Sequence, residues 1–234
     1  MLSCGSAWAR RLIPERWRLK LHPFPSLREP ALQSAGVWEE IPEGPVLVWS
    51  SDPAGTLIGC GGTLARWADA GISIDLVRIE RHPGNEGPDP GGLENAMERL
   101  GLDSLRPLVP EHAIEDLLRI QPEILLIPGP LDAAAELPIL YARAAPSIAP
   151  KWIALYEGND CELANVVVEL SAEEVERKRV ALAEVSAELA HAADGLAEYR
   201  AFATRFVWGR SEAYLRLSPG ELRRVIATSG DLRG

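Results

Sequence analysis

A Rossmann-like α/β fold, with a mostly parallel sheet and helices on both faces, is the architecture this sequence predicts, and three observations predict it. A Val-rich apolar run, Val46-Leu47-Val48-Trp49, ends in a small-residue loop that leads straight into a helical pattern. Beyond it, short apolar runs alternate with segments of helical periodicity. Strands separated by helices imply parallel pairing, because a parallel neighbour is reached only by a crossover.

Taken in order, the first strand begins at Val46, and Thr63-Leu64-Ala65-Arg66-Trp67-Ala68-Asp69-Ala70 puts Leu64, Trp67 and Ala68 on one helical face before Gly71 stops it. Ile72 to Ile79 reads as a second strand. Arg81 to Gly92, rich in Pro and Gly, is a loop where many α/β folds build a pocket rim. Leu93, Ala96, Met97 and Leu100 line a helix closed by Gly101, and Ile114, Leu117 and Leu118 give a short one. A strand follows at Ile124 to Ile127, a helix entered at Pro138, and strands at Trp152 to Tyr156 and Val166 to Leu170. Ser171-Ala172-Glu173-Glu174 is a capping box, in which the Ser oxygen and the Glu carboxylate satisfy exposed backbone donors. Its helix is expected to run to the neighbourhood of Gly195. A second such signal, Ser218-Pro219-Gly220-Glu221, starts a terminal helix carrying Leu222, Val225 and Ile226.

Composition bounds the function. The 234 residues suffice for one well-buried domain, and 47% hydrophobic with 25% charged residues is ordinary for a globule. A formal charge of −10 argues against wholesale nucleic-acid binding, which needs clustered Lys and Arg. Cys4, Cys60 and Cys161 form neither a disulfide framework nor a zinc pair, and no run approaches the ~20 apolar residues that span a bilayer. A cytoplasmic protein is expected. Residues 1–43 form an N-terminal extension with Arg10, Arg11, Arg16, Arg18, Lys20 and Arg28 and with Trp8, Trp17 and Trp38; residues 44–234 form the α/β domain. The extension reads as an arm wrapping its own core, since Trp is usually well buried; a docking arm for a partner is the alternative.

Residues 46–62, Val46 to Gly62, carry a resemblance. Gly59-Cys60-Gly61-Gly62 opening a helix after a strand and an Asp52-Pro53 turn resembles the LmbE/PIG-L family of zinc-dependent N-acetyl sugar deacetylases, and Gly209-Arg210-Ser211-Glu212-Ala213-Tyr214 is similar to that family's closing segment. The resemblance implies the fold above. It also implies positions for the chemistry, and these hold other residues: Asp52 for the first zinc-ligating His, Ala54 for the general-base carboxylate, Gly55 for the ligating Asp, Thr56 for the Glu, and Leu137 for the third ligand.

Magnitude decides what that means. A catalytic zinc takes the pKa of its water from 15.7 to ~7, worth about 12 kcal/mol, and commonly needs three protein ligands. The degenerate positions Asp52, Gly55 and Leu137 offer one, so neither metal nor cofactor is expected and no catalytic residue is assigned; Ala54 and Thr56 mark the lost ones. The resemblance then implies a scaffold for an N-acetyl sugar conjugate or for an active enzyme partner. Candidate ligand-binding residues are Asp52, Trp49, His82 and Asp132; Trp49 and the two aspartates also have plainer readings, as core and as loop or helix caps. The alternative is an active deacetylase with a rearranged set drawn from Asp52, Asp132, Glu136 and Glu80 or His82, which suits zinc less well than another divalent metal. The glycine turn is not a dinucleotide fingerprint, because Leu64 stands where the last Gly would be.

Overall fold

The computed structural model describes residues 35–50, 53–79, 90–102, 105–108, 113–128, 150–156, 164–191 and 210–222. Their elements, in chain order, are β1 (Gly36–Val37), β2 (Val46–Ser50), α1 (Pro53–Asp69), β3 (Ile74–Ile79), α2 (Pro90–Leu100), β4 (Leu105–Leu108), α3 (Ala113–Ile120), β5 (Ile124–Pro128), β6 (Trp152–Tyr156), β7 (Val166–Leu170), α4 (Ala172–Val185) and β8 (Arg210–Leu217). The eight strands form one sheet in the order β1-β7-β8-β6-β5-β2-β3-β4. All pairs are parallel except those of β8, which runs antiparallel to both β6 and β7.

This sheet is the mostly parallel one the sequence predicts. β2 lies between β3 and β5, with Val46 opposite both Ile74 and Ile124. The chain moves outward from β2 to β3 and β4 and then returns to β5 on the other side. The carboxyl ends of β2 and β5 therefore flank the point where strand order reverses, the place where open α/β sheets bind ligands.

Burial explains the apolar runs. Every residue of β2 and of β5 is buried, and the two faces of these strands belong to different surroundings. Val46, Val48, Leu76, Ile124, Leu126 and Tyr156 join one core with Leu57, Leu64, Met97 and Leu182 of α1, α2 and α4. Leu47, Trp49, Val77, Leu125 and Ile127, equally buried, alternate with them and face the other way. The connection from β4 back to β5 contains α3. No helix among the described residues is long and apolar enough to cross a membrane.

Several boundaries move, each for a local reason. The strand expected from Ile72 begins at Ile74. The loop expected to end at Gly92 gives way to α2 at Pro90, whose fixed φ and missing N–H suit a first helical position. The helix expected to reach Gly195 ends at Val185, because Ser186 adopts an extended conformation (φ −168°, ψ 132°) while its N–H closes the last turn on Leu182. β4 has no counterpart among the predicted strands; Pro107 conceals it, and Pro is tolerated there because β4 is the sheet's edge. The helix expected at Pro138 lies outside the described residues, as do Trp8 and Trp17. Residues 36–38 of the extension join the sheet: β1 pairs with β7, and Trp38 is buried against Trp67 and Tyr214 with ring centroids 5.6 and 5.4 Å apart.

Candidate functional site

The candidate site is the turn between β2 and α1, at the reversal of strand order. Of the residues named for it, Trp49, Ala54, Gly55 and Thr56 are described; Asp52, His82, Asp132 and Leu137, with Glu80 and Glu136, lie outside the described residues. Trp49 is fully buried on the face of β2 turned away from α1, and its indole Nε1 has no hydrogen-bond partner there. Ala54 and Thr56 are buried and Gly55 is half-buried in the first turn of α1. The first turn of α1 thus carries a methyl group at Ala54 and a hydrogen at Gly55, and neither has a lone pair to offer.

Thr56 is held by a chain of hydroxyls. Tyr156, at the carboxyl end of β6, donates its phenol proton to the Trp49 carbonyl at 3.0 Å. A phenol has one proton, so Thr56 Oγ1 donates to Tyr156 Oη at 2.8 Å, and Ser50 Oγ donates to Thr56 Oγ1 at 2.7 Å. All three side chains are buried. The chain is neutral, which a buried position favours over an unpaired carboxylate. Ser50 and Tyr156 escaped the sequence reading; a polar residue closing a wholly apolar strand run was the available signal.

A second polar group lies deeper, under the glycines. Glu212 of β8 is fully buried and accepts from Gly62 N and Thr63 N, both at 2.8 Å, from Thr63 Oγ1 at 2.6 Å and from Lys178 Nζ. Tyr214 Oη donates to Thr63 Oγ1 at 2.7 Å and lies 3.1 Å from the Glu212 carboxylate. Burial first, and then the Glu212 charge, push the Tyr214 phenol well above its ordinary pKa. Lys178 also donates to Ile58 O at 2.6 Å. Gly62 is closely packed: a Cβ there would stand 2.7 Å from Leu170 Cδ1 and 3.3 Å from Glu212 Oε1, so that the Leu170 side chain would have to move. The quoted segments Gly59–Gly62 and Gly209–Tyr214 therefore meet in one cluster, 150 residues apart in sequence at Gly62 and Glu212. Lys178 could have been found from its spacing, since with Val175 and Leu182 it falls on the buried stripe of α4.

Among the described residues no three of His, Cys, Asp and Glu gather as a metal-binding group. No family model matches the sequence, and comparison with curated proteins finds no match. Solved structures do match. One is the conserved protein TT1542 from Thermus thermophilus, 20% identical, with 75% of this chain and 96% of that one covered and a TM-score of 0.62. Another is GalB, the 4-carboxy-2-hydroxymuconate hydratase from Pseudomonas putida, at 17% identity, 74% and 96% coverage and TM-score 0.60. A third is the N,N'-diacetylchitobiose deacetylase from Pyrococcus horikoshii, at 15% identity, 94% coverage of each chain and TM-score 0.55.

The chain has the α/β fold shared by deacetylases of the LmbE/PIG-L type, as its glycine turn implied. At these identities the likeness is one of fold. A hydratase and a deacetylase stand on it side by side, so the fold does not decide the chemistry.

Proposed function

We propose that this protein is a LmbE/PIG-L-like scaffold without zinc-dependent catalysis, which binds a glycan-like ligand such as an N-acetyl sugar conjugate, or pairs with an active enzyme, at the reversal of strand order. One observation carries the reading: the first turn of α1 presents Ala54 and Gly55 where metal chemistry needs carboxylates, and the next residue, Thr56, bonds to Ser50 and Tyr156. The side chains of Ala54 and Gly55 do not fit a zinc ion. What the first turn of α1 offers is small side chains and neutral hydroxyls, which suit binding better than bond cleavage.

Protein purified without chelators should hold no stoichiometric zinc by elemental analysis and should release no acetate from N-acetylglucosamine conjugates. Stoichiometric metal together with acetate release abolished by chelation would overturn this, and would install a metal-dependent deacetylase whose ligands come from Asp52, Asp132 and Glu136, with Glu80 or His82.

A further inference from the structure

Glu212 and Lys178 sit where a buried ion pair does unusual work. In a regular helix the N–H of Gly62 would be committed to the carbonyl of Ile58, four residues back. In α1 the two ends of that one ladder position meet two different side chains: Gly62 N–H donates to Glu212, and Ile58 O receives the Lys178 ammonium. The two side chains are bonded to each other. An ion pair supplied by β8 and α4 thus holds both groups of one ladder position in the helix that leaves the reversal of strand order. Side chains that engage the ladder groups of a helix in this way fix or bend it at that point.

We infer that Glu212 and Lys178 are positioning residues, which set the direction in which the first two turns of α1, Pro53–Gly61, leave β2. Three further observations support this. Gly62 lets the carboxylate approach closely, since a Cβ there would stand 3.3 Å from Glu212 Oε1. Thr63 adds both its N–H and its hydroxyl to the same carboxylate, and Tyr214 braces that hydroxyl, so the pair is fixed against sliding. The cluster is sealed from solvent, with Glu212 fully buried and the Lys178 side chain 6% exposed, so ligand exchange is not its purpose. The inference goes beyond the proposed function and stands on geometry alone; it holds whether the turn at Ala54 binds or cleaves.

Amide hydrogen exchange of the full chain, read for 54–61 against 64–69 and β2, tests it. Lys178→Met and Glu212→Gln each remove one half of the pair and should lower protection in 54–61 by about tenfold more than in 64–69. The double variant Lys178→Met with Glu212→Leu removes both, frees Ile58 O and Gly62 N for each other, and should restore much of that protection. If either single variant fails to fold, Thr63→Val trims one contact of the carboxylate and should give the same regional pattern at smaller size. Equal loss on both sides of Gly62 in the singles, or no recovery in the double, would reduce the pair to a uniform contributor to stability and overturn the inference. The acetate and metal measurements bear on the proposed function and not on this result.

Discussion

At the scale of the residue, Tyr214 links burial to pH. Its phenol is fully buried, and desolvation and the Glu212 charge hold its pKa well above 10.0. In the folded state the proton stays on, while in the unfolded chain it leaves near 10.0. The folded protein therefore binds more protons as pH rises past that value, and stability that is fully present below it declines above it. Tyr214→Phe should cost about 1 kcal/mol at neutral pH, for the hydrogen bond to Thr63 that is lost. It should also flatten the alkaline decline. Denaturant midpoints of the two proteins on either side of pH 10.0 check this; parallel curves would exclude Tyr214 as the titrating group.

Legibility at this scale was uneven. The glycines of 59–62 read as a turn opening a helix, whereas they lie inside α1, which already begins at Pro53. That a carboxylate 150 residues away needed the space at Gly62 was not visible, because a Glu beside an Ala and a Tyr carries no sign of burial. The partners of Thr56 were not visible either, since Ser50 and Tyr156 come from strands that sequence spacing cannot bring together.

At the scale of the element, caps held better than lengths. Both capping boxes form as read: Ser171 with Glu174, and Ser218 with Glu221, each reciprocal between side chain and backbone. Local rules suffice there, because all the partners lie within four residues. The end of α4 was misjudged because Ser186 interrupts an Ala-rich and Leu-rich run whose periodicity continues past it, and Ser186 then accepts from Glu188 N–H, as the capping residue of a new start. β4 was missed because a proline is evidence against an interior strand and says nothing against an edge one. Ser171→Ala removes the acceptor for Glu174 N–H at the head of α4 and should lower stability by about 1 kcal/mol by chemical denaturation. Glu174 also takes a two-pronged contact from Arg66 of α1. A much larger loss would mean that the cap orients this carboxylate as well.

At the scale of the whole molecule, the alternation of strands and helices was enough to predict a doubly covered, mostly parallel sheet, while strand order was not. β8 was legible only as a tail of the resemblance, since nothing in a sequence says that its last strand will enter the sheet between two earlier ones. The described end of the extension behaves as part of the domain: β1 extends the sheet, and Trp38 lies edge-on to Trp67 and Tyr214 and beneath the Arg216 guanidinium, 5.3 Å from its ring centre. Deleting the residues before Gly44 should therefore cost about 3–5 kcal/mol, the usual loss for a buried Trp. That is a large share of a margin of about 5–15 kcal/mol. A lower melting temperature for the isolated truncated chain is the expected result. An unchanged melting temperature with loss of a partner would make the arm a docking element.

The place of β8 also bears on the order in which this molecule can be finished. β7 and its partner β1 touch the rest of the sheet only through β8, which joins β7 to β6. During synthesis, therefore, every other strand can emerge while the sheet remains in two pieces, with one edge of β6 and one of β7 open. Until β8 joins, Lys178 lacks the carboxylate that it is buried against. Only when residues 210–217 arrive do both gaps close, and the positive charge meets its partner in the same event. A released chain truncated before Arg210 should accordingly be a form in need of chaperone protection, because it combines unpaired edges with an unneutralised ammonium beside the rest of the core.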